Sequence, residues 1–254
     1  MEKGKVFFVG AGPGDPELIT LKGNKIIEKA DVIIYAGSLI NVEVLESAKP
    51  EAKKYDSAYL NYEEVMEITK TAINENKIVA RVHTGDTGLF STIREQIIGL
   101  QEENIEYEII PGVSSFSAAA ASLAVQYTLP DVSQSLIITR RKGRTPVPEK
   151  EDLPLLAKHN SSMVIFLSIQ MIKEVAEDLM TEYEPETPVA VVYKASWKEE
   201  KIVQGNLSNI AEKVKENNIT KTALILVGEF LNDKFSMSKL YDKGFSHEFR
   251  KGKE

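Results

Sequence analysis

Residues 6–20 read VFFVGAGPGDPELIT, a buried strand that breaks into a glycine turn and enters a helix. The apolar run Val6–Val9 supplies the strand. Gly10, Gly12 and Gly14 permit positive φ and close backbone approach. Asp15 followed by Pro16 has the form of an N-cap and first helical residue. Strand, glycine turn and helix together hold a ligand at the end of a parallel sheet. The turn departs from the dinucleotide fingerprint G-x-G-x-x-G, because its third position is Asp15. A pyrophosphate there would meet two negative side chains, Asp15 and Glu17. A phosphate-free cation such as S-adenosylmethionine would not suffer this repulsion. A structural turn that touches no ligand is the other reading of this stretch alone.

The same alternation continues along the chain. Thr20 can cap a helix carrying Leu21, Ile26, Ile27 and Ala30, and Val32–Tyr35 is a second strand. A helical segment with Val42, Val44 and Leu45 closes at Pro50. Val65, Met66, Thr69, Ala72 and Ile73 share one face of a helix over 62–75. Ile78–Val82 and Glu106–Ile110 are strands, separated by a helix with Ile93, Ile97 and Leu100. The second half holds an alanine-rich helix over Ser115–Ala124. Strands follow at Ser135–Thr139, Met163–Leu167, Val189–Tyr193, Lys201–Gln204 and Ala223–Val227. Only two clear helices separate them, Ile172–Leu179 and Leu207–Val214, and the short 193–201 link reads as a hairpin. The expectation is an α/β fold of two domains, the N-terminal one with a mainly parallel sheet and the C-terminal one with a mixed sheet. The boundaries are 1–112, 113–234 and a C-terminal extension over 235–254. The extension carries irregularly spaced aromatics, Phe235, Tyr241, Phe245 and Phe249, and reads as a loose tail or as a strap over a partner or the site.

Composition narrows the function. Thirty-one basic against 38 acidic residues give a net charge of −7, which argues against nucleic acid or a membrane surface as partner. Cysteine is absent, which removes disulfides, thiolate metal sites and a cysteine nucleophile. His83, His159 and His247 lie far apart, so no metal site is expected. No apolar run approaches the ~20 residues of a membrane span and the N-terminus lacks a signal-peptide core, so the expected location is cytoplasmic. The sequence contains no nucleophile elbow, Walker A or H-E-x-x-H motif.

Two further strand ends resemble the first. His83-Thr84-Gly85-Asp86-Thr87-Gly88 should share its sheet edge. Asp86 can accept hydrogen bonds from an amine or ribose, or cap the next helix. His83 is either a general base or a structural histidine. At Pro111-Gly112-Val113-Ser114-Ser115, Ser114 and Ser115 can cap the following helix and also bind a ligand. Arg140, Arg141, Lys142 and Arg144 form the one concentrated positive patch, suited to carboxylates if it is not simply a solvated loop.

Taken together, GAGPGDPELIT (10–20), HTGD (83–86), PGVSS (111–115) and VVYKASW (191–197) resemble the tetrapyrrole (class III) methyltransferase family, in order over nearly the whole chain. ADVIIYAGSL (30–39), RVHTGD (81–86), TRRKGRTPVPE (139–149) and LYDKGFSHEFR (240–250) narrow the likeness to its cobalamin-pathway members. The resemblance implies two α/β domains with a cleft between them, a homodimer, S-adenosylmethionine as methyl donor and a precorrin macrocycle as substrate. Carried over by motif position, the donor contacts would be Pro13, Asp86, Leu89, Ser114, Ser115, Leu167 and Ala195. The four cations at 140–144 would meet the macrocycle's acetate and propionate groups. No catalytic base is implied, and His83 is only a candidate for steering a ring proton. The family commonly has proline where this chain has Thr87. Rival readings are methylation at another ring carbon, a nicotinamide-dependent oxidoreductase and a nucleotide-sensing module.

Overall fold

A computed structural model of the chain describes residues 4–233 and 235–252. It divides into two compact units, Met1–Ser122 with Lys194–Glu200, and Leu123–Tyr193 with Lys201–Glu254.

The first unit contains β1 (Lys5–Gly10), α1 (Leu21–Lys29), β2 (Val32–Tyr35), β3 (Lys53–Asp56), α2 (Tyr62–Asn74), β4 (Ile78–His83), α3 (Ile93–Glu102), β5 (Tyr107–Ile110) and α4 (Ser115–Leu123). All five strands are parallel, in the order β3-β2-β4-β1-β5. Alternation along the strands divides their side chains between two apolar layers. Val6, Phe8, Ile34 and Val79 pack with Val65 and Met66 of α2 and Ile97 and Leu100 of α3. Ile33, Ala80 and Val82 face the other way, onto Ile27 of α1. The expected cap is present, with the Thr20 side chain accepting from the Gly23 amide at 3.1 Å. Asp15 instead caps a single 3-10 turn, Pro16–Leu18, and a second such turn replaces the helix expected at Val42–Leu45. Sequence periodicity missed β3. It is an edge strand that opens on two exposed lysines, Lys53 and Lys54, so it carries little apolar signal.

The second unit contains β6 (Leu136–Arg140), α5 (Leu153–Ala157), β7 (Ser162–Phe166), α6 (Ile172–Leu179), β8 (Pro188–Tyr193), β9 (Lys201–Asn206), α7 (Ile210–Glu216) and β10 (Ala223–Val227). The sheet order is β6-β7-β10-β8-β9, with β6 and β7 parallel and the other pairs antiparallel. The sheet is therefore mixed, and β8 pairs with β9 as expected. One face is covered by Leu153, Val175, Leu179, Ile210 and Val214 of its helices. In the tail, one guanidinium nitrogen of Arg250 donates to the carbonyls of Leu240 (2.7 Å) and Asp242 (2.8 Å). No helix among the described residues is long and apolar enough to cross a membrane.

Strand order brings the three glycine motifs to neighbouring strand ends, since β1 lies between β4 and β5. The contact there is backbone on backbone. A Cβ on Gly112 would lie 2.2 Å from the Gly85 carbonyl oxygen and 2.8 Å from the Gly10 Cα. Neither neighbour is a flexible side chain that can give way. Gly112→Ala should therefore destabilise the chain by about 2–3 kcal/mol. The check is a denaturant midpoint that falls with the slope unchanged; a parent-like midpoint would show that these strand ends are not closely packed.

Candidate functional site

Backbone hydrogen bonds lock the first two motifs together. The Ala11 amide donates to the His83 carbonyl at 2.8 Å. Gly12 and Gly85 exchange a pair, Gly12 N–H to Gly85 O at 3.2 Å and Gly85 N–H to Gly12 O at 2.8 Å. Both glycines have positive φ, +80° and +64°, which a side chain would disfavour. The third motif is tied in by Asp86. One carboxylate oxygen accepts from the Gly88 amide (2.8 Å), and the other from the Gly112 amide (2.9 Å). The Asp86 carboxylate is thus a clamp between two loops, and each of its oxygens retains a second lone pair.

The remaining expected donor residues fall as follows. Pro13 is buried, and its carbonyl accepts the indole N–H of Trp197 at 2.8 Å. Leu89 is half-buried in the loop after β4, and Thr87 is buried beside it. Ser114 is 8% exposed, and its carbonyl accepts from Ser117 and Ala118 at the start of α4, with Ser115 next. Ala195 is buried between Lys194 and Ser196, which have φ of +48° and +69°. These five, like Asp86, belong to the first unit. Leu167 belongs to the second, just beyond β7, at φ +55° and 67% exposed.

Sequence reasoning overlooked Arg81, which lies inside the apolar run of β4. Its guanidinium is buried, donating to Gln96 Oε1 (3.0 Å) and the Ile34 carbonyl (3.2 Å). Both acceptors are neutral, and burial pushes its pKa down to about 10. His83, two residues along the same face, is 5% exposed, and its Nε2 has no partner among the described residues. Burial, helped by the Arg81 charge, pushes its pKa down to about 3. The imidazole is therefore neutral at pH 7 and cannot serve there as a proton donor of ordinary histidine strength.

The positive patch in the second unit is less free than its sequence suggests. Arg140 donates to the carbonyls of Thr145 (3.2 Å) and Pro146 (2.5 Å), closing its own loop. Arg141 pairs with Asp178 at 2.5 Å, which raises its pKa, and its amide donates to the Ser168 hydroxyl (2.9 Å). Lys142 pairs with Asp152 at 2.6 Å. Arg144 is exposed and makes no ion pair among the described residues. Mutual repulsion is thus relieved partly by internal carboxylates.

Residues 5–211 match the family model for tetrapyrrole (corrin/porphyrin) methylases. The chain belongs to that family. It is 59% identical to the cobalt-precorrin-4 C(11)-methyltransferase of Methanocaldococcus jannaschii over 249 residues, 97% of this chain and 96% of that one. The solved structure of cobalt precorrin-4 methyltransferase, described as a cobalamin biosynthetic enzyme, superposes with a TM-score of 0.88. It is 42% identical and covers 90% of this chain and 96% of its own. Uroporphyrin-III C-methyltransferase from Thermus thermophilus, complexed with S-adenosylhomocysteine, gives a TM-score of 0.76 at 26% identity, covering 90% and 93%.

The buried histidine makes stability depend on pH. The unfolded chain takes up the His83 proton near pH 6.5, and the folded chain only near pH 3. The unfolded state binds more protons between those values, so this contribution is complete above pH 6.5 and lost as pH falls. The unfolding free energy of the parent minus that of His83→Gln should shrink as pH drops below 6.5 in matched urea titrations. A constant difference from about pH 7 to pH 4 would contradict a neutral, buried imidazole.

Proposed function

We propose that this chain transfers a methyl group from S-adenosylmethionine to carbon 11 of precorrin-4 or cobalt-precorrin-4, in cobalamin biosynthesis. The observation that carries the reading is the near full-length 59% identity to a cobalt-precorrin-4 C(11)-methyltransferase. The chemistry of the first unit is consistent with such a donor. Its strand ends present tightly packed backbone rather than a phosphate cradle, and Asp15 and Glu17 follow the turn. That charge disfavours a pyrophosphate and suits a cation, which counts against the nicotinamide alternative.

When bound, the donor supplies an electrophilic methyl group on a cationic sulfur. The residues assigned to it are Pro13, Asp86, Leu89, Ser114, Ser115, Leu167 and Ala195. Pro13 and Asp86 fix backbone shape through bonds within the chain, and their oxygens keep acceptor capacity for a ligand. Ser114 and Ser115 sit at the start of α4, where first-turn amides lack helical partners. Charge disperses in this transfer, so the chain's main task is to hold the donor and an electron-rich ring carbon in line. His83 is not assigned a proton-transfer role. Arg144 is assigned to the macrocycle's carboxylates, because its neighbours are already paired.

Methyl-labelled S-adenosylmethionine incubated with precorrin-4, with and without cobalt, tests the activity. Label should appear on the macrocycle, and NMR of the product should place it at carbon 11. No transfer to either form, or transfer to another carbon, would overturn the assignment. Arg144→Ala should weaken macrocycle binding about five- to tenfold, the scale of one exposed charge-assisted contact, while S-adenosylhomocysteine affinity stays at the parent value. Equal macrocycle titrations for the two proteins would remove Arg144 from the site.

A further inference from the structure

Gly14 lies directly beneath the only tryptophan of the chain. A Cβ on Gly14 would fall 2.0 Å from Cδ1 and 2.1 Å from Nε1 of Trp197, so the edge of the indole rests on the turn's backbone. The indole N–H donates to the Pro13 carbonyl at 2.8 Å. The Asp15 amide donates to the Ser196 hydroxyl at 3.0 Å, and Asn41 donates to the Gly14 carbonyl at 2.9 Å. Three successive turn residues therefore each have a backbone polar group held from outside the turn. Two of those three holds come from the segment Lys194–Glu200.

That segment is itself braced. Lys194 and Ser196 occupy the left-handed region, which neither residue type favours. The Glu200 carboxylate accepts from the Ser196 amide (2.6 Å) and the Ser122 hydroxyl (2.8 Å). The Lys194 ammonium lies 4.5 Å from the indole centroid. Backbone in such regions persists where its surroundings over-determine it, and it clusters at ligand sites.

We propose that Trp197 is a positioning residue for the methyl donor. Seated on Gly14 and bonded to Pro13, it holds the glycine turn in its binding shape and so sets donor affinity through the turn. The inference rests on the reading that the donor binds at that turn.

S-adenosylhomocysteine calorimetry on the full chain tests it. Trp197→Phe keeps a ring but loses the N–H donor, and should weaken binding about tenfold, the scale of one hydrogen bond left unmade. Its kcat at saturating donor should stay at the parent value, with the donor KM raised, and its thermal midpoint should fall by no more than a few degrees. Gly14→Ala and Trp197→Ala should each weaken binding further, and their double variant should be no weaker than either, since both break one contact. Parent-like affinity in the Trp197 variants would overturn the proposal, as would losses that multiply in the double variant. If Trp197→Ala does not fold, Trp197→Phe decides, a tenfold loss of affinity supporting the proposal and parent-like affinity overturning it. A parent that does not bind S-adenosylhomocysteine at all refutes the donor reading itself, and with it this inference.

Discussion

A side chain at residue 10 or 112 would have nowhere to go. Gly10, Gly85 and Gly112 meet at the ends of three adjacent parallel strands, with backbone atoms where side chains would otherwise stand. That close approach lets Gly12 and Gly85 exchange hydrogen bonds and puts the Gly112 amide within reach of Asp86. These bonds tie the three loops together. Preorganisation of this kind suits methyl transfer, where alignment matters more than proton movement.

Charge is handled in the same spirit. The carboxylate of Asp86 and the cations of Arg141 and Lys142 are each engaged within their own unit. Arg81 is buried on neutral acceptors, and its charge helps keep the neighbouring His83 neutral. Several polar groups that sequence alone marks as ligand contacts thus also hold together the unit they belong to. Arg144, in the second unit, is exposed and makes no ion pair among the described residues.

Much of this architecture is legible in the sequence. Apolar runs locate every strand but β3, whose charged edge position hides it. Residues 172–179 show a helical face that α6 uses as read. The three glycine motifs announce tight turns, yet their mutual contact joins residues 10, 85 and 112, and no local pattern encodes it. The same holds for Asp86. Its bond to Gly88 is a local turn, and its bond to Gly112 spans 26 residues. Asp178 lies 37 residues from Arg141, so the internal pairing of the positive patch appears only in the fold. The seat of Trp197 on Gly14 depends likewise on distant stretches of chain.

The chain itself, without ligand, fastens the three strand-end loops into one surface. Amide hydrogen exchange at Gly12, Gly85 and Gly112, followed by NMR on the ligand-free protein, tests it most directly. Protection close to that of β1 is expected, because each amide has an internal acceptor, at 3.2, 2.8 and 2.9 Å in turn. Exchange at the rates of open loops in all three would contradict it.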